Sequence, residues 1–181
     1  MSKYTFHTLK NSSPEVKPIL EQVKAKYGFE PNLFAYMAEA PSVLKAYLSM
    51  MDLIGQSSLS PATAHLAMLT ASIENKCEFC TVAHHAIGKQ MAKIKPQTLE
   101  ALTEDRAIAD DRDRAVVDIV REIIDSRGWV DEAKLQAFYD AGFAPQQYFE
   151  LILTVAIKTL SNYVNHQTLP EANPELVQML G

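Results

Sequence analysis

Apolar residues recur at helical spacing through almost the whole chain, and no stretch alternates like a half-buried strand. Start and stop signals divide the pattern. Ser13-Pro14 opens a first helix and Gly28 closes it. A short helix is expected over 32–39, and a longer one from Pro41 to Gly55. Ser60-Pro61 repeats the start signal; Leu66, Leu69 and Ile73, with Ala62 and Met68 nearby, then supply an apolar helix up to the interruption Glu74-Asn75-Lys76. With Asn75 as N-cap, the next helix carries Cys77, Cys80 and His84 and runs to about Met91. Pro96 introduces a short helix ending near Asp105.

The clearest amphipathic segment is 110–127. Ala115, Val116, Ile119, Val120, Ile123 and Ile124 form one stripe, and Asp, Arg and Glu fill the other side. Gly128 stops it, and Asp131 caps a helix that ends before Gly142. Pro145 opens the longest helix, to about Asn165, with Leu151, Ile152, Val155, Ala156 and Leu160 in its core. Residues 174–180 form a last turn that docks or frays. The helices after Pro61 and Pro145 are loosely alike and apolar on most faces, which makes both candidates for subunit contacts. The chain is read as all-α, one domain over 1–181, with 1–12 a tail and a core motif at 59–91.

Composition narrows the function classes. The 181 residues suit one domain, and 48% apolar content suffices for a core. A net charge of −5 without any Lys/Arg run argues against nucleic acid as a partner. No N-terminal apolar stretch has signal-peptide length, and no run reaches the roughly 18 apolar residues of a membrane span. A cytoplasmic address and no membrane partner are therefore expected. In a reducing compartment, two thiols three residues apart are more often catalytic or metal-binding than a structural staple.

The segment is Cys77-Glu78-Phe79-Cys80-Thr81-Val82-Ala83-His84-His85. At roughly 100° per residue, Cys77 and Cys80 lie about 60° apart and Cys80 and His84 about 40°. All three are expected to point one way, with His85, about 140° from Cys80, on another face. Unpaired N–H groups and the positive end of the helix dipole favour thiolate in a first turn. A thiolate attacks a peroxide or a disulfide, and the second cysteine condenses with the resulting sulfenic acid. A zinc site using Cys77, Cys80, His84 and a distant fourth ligand is a competing reading, although this spacing on one helix is not that of ordinary zinc modules. Two buried, inert cysteines are another. Covalent haem attachment is excluded, because Thr81 and not histidine follows Cys80. No metal or other cofactor is expected. Elsewhere, His166, near the end of the long helix beside Asn162 and Asn165, either lines a cleft or answers the helix dipole, and His7 belongs to the tail. Trp129 reads as a packing anchor between helices, and Met50, Met51 and Met68 as core or interface filler.

The block Leu59-Ser60-Pro61…Cys77-Glu78-Phe79-Cys80-Thr81-Val82-Ala83-His84 resembles the carboxymuconolactone decarboxylase superfamily, in its alkylhydroperoxidase D-like, peroxidase-related branch. The resemblance implies an all-α fold assembled as trimers or as hexamers built from them. It also implies thiol peroxidase chemistry on a hydroperoxide, with an external dithiol as reductant. By the family pattern Cys80 is the peroxidatic cysteine, Cys77 the resolving one and His84 part of a proton relay. That branch usually places a glutamate twelve residues before the first cysteine, where this chain has His65. His65 is thus either a relay member or a satisfied helix histidine. As a relay member it would stand near His84, and the two imidazoles would titrate at roughly 6 to 7. Glu74, about 180° from His65 if one helix spans both, reads as a solvated helix-end charge. Lactone decarboxylation, which needs no dithiol, and a non-catalytic helical oligomer are the alternative functions.

Overall fold

A computed structural model describes residues 3–180. Its elements are α1 (Lys17–Tyr27), α2 (Asn32–Met37), α3 (Pro41–Gly55), α4 (Pro61–Glu74), α5 (Glu78–Gln90), α6 (Pro96–Thr103), α7 (Asp111–Asp125), α8 (Glu132–Asp140), α9 (Pro145–Thr168) and α10 (Pro174–Leu180). No strand is found among the described residues. The all-α reading holds, and most boundaries fall where local chemistry places them. Ser60, Asp110 and Asp131 cap α4, α7 and α8 through side-chain oxygens that accept backbone N–H groups. Gly28 ends α1 at a φ of 81°, a conformation open to a residue without Cβ.

Three boundaries differ from expectation. Residues 14–16 form turns bonded to the Ser13 carbonyl before α1 begins at Lys17. Asn75 does not cap α5. It closes α4, and Lys76 at a φ of 55° reverses the chain, so that extended Cys77 becomes the N-cap of α5. Helix α9 runs on to Thr168 before Leu169 ends it in a left-handed conformation. The last helix docks: Lys89 and Gln90 of α5 donate to the carbonyls of Leu180 and Met179.

Helix α4 is the centre of the bundle, packed by α5, α7 and α9, and eight of its residues from Ala64 to Ser72 are buried. Its buried hydroxyls cost little, because Thr70 and Ser72 donate to the carbonyls one turn back. The stripe of α7 faces this core through Val116, Val117, Ile119, Val120 and Ile123. Glu74 is not the solvated charge expected: its carboxylate accepts a bond from Arg121 of α7 at 2.6 Å and is largely covered. Trp129 is no anchor either. It is 89% exposed, because Arg127 and Gly128, both at positive φ, turn the chain outward after α7. Nor do the described tail residues hang free. Phe6 meets Tyr36 edge-on, and His7 bonds Glu39 at 2.9 Å, so the segment lies along α2. Met68 is core as expected, and Met50 and Met51 pack against that core.

Candidate functional site

Two helices build the site. The N-terminus of α5 brings Cys77 as N-cap and Cys80 in the first turn, both buried and unbridged. Against it lies α9, whose residues Lys158, Ser161, Asn162 and Asn165 are all buried. Their spacing of three and four puts them on one face. Asn165 Nδ2 donates to both sulfurs, at 3.2 Å to Cys80 and 3.5 Å to Cys77. The Ser161 hydroxyl stands 4.0 Å from Cys80. Asn162 Oδ1 accepts from Asn75, which leaves its Nδ2 group, without a geometric partner of its own, beside Cys80.

Lys158 adds a buried positive charge to the site. A lysine 1% exposed is rare unless an anion accompanies it. Here its charge lies next to Cys80. The Cys80 thiol is drawn down to about 5, first by the hydrogen bond from Cys77, then, against the opposing effect of burial, by Lys158 and Asn162. Cys77 moves the opposite way, raised by giving its hydrogen bond to Cys80 and by burial. The pair thus divides into a thiolate and a retained thiol.

His84 and His65 meet as the relay reading requires, Nδ1 to Nδ1 at 3.3 Å. One ring must then carry its proton on Nδ1 and the other on Nε2. The expected titration at 6 to 7 is overturned. Burial first, and then the Lys158 charge, push His65 down to about 4 and His84 well below the usual imidazole range. Both rings are neutral at physiological pH.

Cys80, His84, His65 and Lys158 open on one cavity of about 200 Å³, walled by apolar and aromatic side chains such as Phe34, Tyr47 and Ile87. Cys77 does not share it, contrary to the expectation that both sulfurs and His84 point one way. As N-cap, Cys77 stands outside the helical register and borders a different cleft of about 250 Å³, with Asn165, His166 and Leu169. His166 therefore does line a cleft, stacked loosely on Tyr163. His85 borders neither hollow. A larger groove of about 620 Å³ between α7 and α8 is open and charged and holds no nucleophile. Among the described residues no three His, Cys, Asp or Glu side chains gather to hold a metal ion. No helix there is long and apolar enough to cross a membrane.

Sequence reasoning does not single out the α9 residues, except for the two asparagines beside His166. A signal exists: Lys158, Ser161, Asn162 and Asn165 recur at the spacing of a core stripe in an otherwise apolar helix.

Residues 41–122 match the carboxymuconolactone decarboxylase family. No curated protein sequence gives a match. Among solved structures, the alkylhydroperoxidase AhpD core of an uncharacterized peroxidase-related protein from Ralstonia eutropha JMP134 superposes with a TM-score of 0.86 at 25% identity, over 98% of this chain and 95% of that one. An uncharacterized peroxidase-related protein from Silicibacter sp. TM1040 gives 0.80 at 24% identity, over 97% and 95%. The debrominase Bmp8, as a cysteine-to-alanine variant in complex with 2,3,4-tribromopyrrole, shares the fold at a TM-score of 0.81 and 14% identity, over 99% and 96%. The central segment thus matches the carboxymuconolactone decarboxylase family, and the whole fold is similar to that of peroxidase-related structures, one of them an alkylhydroperoxidase AhpD core.

Proposed function

We propose that this chain is a thiol-dependent hydroperoxide reductase. The observation that carries the reading is the environment of the Cys80 sulfur. Amide N–H groups and an ammonium surround it in a buried site, and a surrounding of donors stabilises an anion. In the first step the Cys80 thiolate attacks the outer peroxide oxygen. The O–O bond breaks, sulfur is oxidised to sulfenic acid, and the alkoxide leaves to take up a proton. His84 faces the cavity, and half-buried His65 is the outer member of the pair, so a proton taken up from solvent at His65 replaces the one it passes inward through His84 to the alkoxide. Depressed basicity helps: a transiently protonated ring of low pKa is a strong donor. In the second step the Cys77 thiol attacks the sulfenic sulfur, an S–S bond forms and water leaves. An external dithiol returns both cysteines to thiols. The resemblance further implies a homo-oligomer on threefold symmetry, which light scattering at micromolar concentration tests; a monomer there removes it.

The reaction is tested by counting free thiols before and after a hydroperoxide is added. Two thiols lost per chain are expected, and thiols that survive excess peroxide reject the proposal. In Cys77→Ser a dimedone adduct should collect on Cys80; an adduct on Cys77 of Cys80→Ser alone would reverse the assignment. On the same single-turnover assay, His65→Ala and His84→Ala should slow oxidation on the order of ten- to a thousandfold. His65→Glu should keep the rate, and His85→Ala should change little. A dead His85→Ala beside an unaffected His65→Ala would refute the relay.

A further inference from the structure

We propose that the two cysteines are served by separate entrances: oxidant reaches Cys80 through the aromatic-walled cavity, and the reducing dithiol reaches Cys77 through the cleft between α5 and the end of α9. This rests on the dithiol chemistry of the preceding reading and adds to it where the second substrate binds. Three observations carry it.

The first is the division of the linings. Cys80 borders only the apolar cavity and Cys77 only the cleft. Phe79, one of the two residues between them in the α5 turn, is the one side chain common to both linings and stands between the two hollows. The cause is the N-cap position of Cys77, which takes its side chain off the helical face that Cys80 and His84 share.

The second is the leaving group. An incoming thiolate must attack one sulfur of the Cys77–Cys80 disulfide and expel the other. Exchange is faster when the expelled thiol is the more acidic. Attack on Cys77 expels Cys80 as a thiolate into the shell of Asn165, Asn162 and Lys158. Attack on Cys80 would expel Cys77, the less acidic thiol of the two. In the productive direction, a mixed disulfide forms between Cys77 and the dithiol's first sulfur. The dithiol's second thiol then attacks its own first sulfur, the mixed bond breaks, Cys77 takes the proton released by that second thiol, and the reductant leaves as an intramolecular disulfide. Two electrons pass from the dithiol to the cysteine pair.

The third is the chemistry of the rims. The cleft at Cys77 has a mixed rim, in which Lys76, Glu78 and His166 stand among apolar Phe79, Pro170 and a 79% exposed Leu169. The cavity at Cys80 is apolar, with Met91 67% exposed at its mouth. A polar, flexible dithiol and an apolar oxidant are thereby sorted to opposite sides of α5, and one does not exclude the other.

The two half-reactions are measured separately by stopped flow on the whole chain. The disulfide is formed chemically with diamide and then reduced by dithiothreitol, so the reductive half is read whether or not a hydroperoxide is the oxidant. Leu169→Trp, at an exposed position outside the core, should slow that reduction on the order of tenfold by limiting access to the sulfur. Its oxidation by cumene hydroperoxide should be unchanged. Met91→Trp should slow oxidation and leave reduction unchanged. Circular dichroism confirms the fold of each variant, and Leu169→Ala, which opens the rim, should reduce at least as fast as the unmodified chain. Reduction unaffected by Leu169→Trp, or slowed equally by Met91→Trp, overturns the proposal. A failure of cumene hydroperoxide to oxidise the unmodified chain counts against the peroxidase reading alone.

Discussion

The hydrogen bond from Cys77, reinforced by the buried Lys158, favours ionisation at the Cys80 sulfur. Helix position alone favours both Cys77 and Cys80, since both lie at the N-terminus of α5. The Cys77 hydrogen bond, Lys158 and the α9 amides break the tie toward Cys80. Lys158→Met keeps the length and most of the packing volume while deleting the charge. The Cys80 titration, followed by thiolate absorbance in the ultraviolet, should rise from about 5 toward the ordinary thiol range. The oxidation rate at neutral pH should fall with the thiolate fraction, on the order of tenfold or more. Lys158→Arg, which restores charge, should recover part of both. In the unmodified chain the rate should be flat from neutral pH upward and decline as pH falls through about 5, where Cys80 takes its proton. A midpoint near 6.5, the free imidazole value, would assign control to the histidines and refute this account.

At the scale of elements, α4 holds the site without supplying its sulfurs. It carries His65 on the face toward α5 and lies under α5, α7 and α9 together. Leu69, fully buried near its middle, is surrounded on every side. Leu69→Ala should cost about 2–5 kcal/mol of stability, read from the urea midpoint, because the helices around it cannot all collapse into the void. A loss below about 1 kcal/mol would show a looser centre than the burial implies. This architecture is largely legible in the sequence, since Ser60-Pro61, Asp110, Asp131 and Gly28 act through bonds to their immediate neighbours. What escapes has causes at a distance or in rare backbone states. Lys76 carries no side-chain signal for a positive φ, so sequence reasoning puts the cap at Asn75 and not at Cys77. Asn165 reaches Cys80 across 85 residues, and its role becomes visible only once α9 lies on α5. Trp129 fails as an anchor for a similar reason, as its apolarity says nothing of the turn that carries it outward.

For the whole molecule, the site's electrostatics return as a dependence of folding on pH. Cys80 and the histidines His65, His84 and His85, all of lowered pKa, act in the same direction. Cys80 has a lowered pKa in the folded chain, so its contribution is complete above the unfolded thiol value of about 8.5 and is lost as pH falls through about 5. His65 is held neutral down to about 4, whereas in the unfolded chain it takes up a proton near 6.5. Above 6.5 the two states of His65 bind equal numbers of protons and it contributes no slope. Below that, the unfolded state binds more, and stability falls until His65 itself protonates, by about 3 kcal/mol in total. His84, also held well below the usual imidazole range by burial, acts in the same direction. The window between about 6.5 and 5 therefore belongs to both the thiol and the imidazoles, and substitution separates them. In Cys80→Ser the thiol contribution is gone, and the urea midpoint should still fall across that window. Adding His65→Gln and His84→Gln, neutral side chains able to keep a hydrogen bond between them, should cut the decline there to the part left by His85, above the carboxylates' acid unfolding. The same slope with and without the two histidines would mean that their rings accept protons in the folded chain, and that the buried imidazole pair beside Lys158 is not the neutral relay described above.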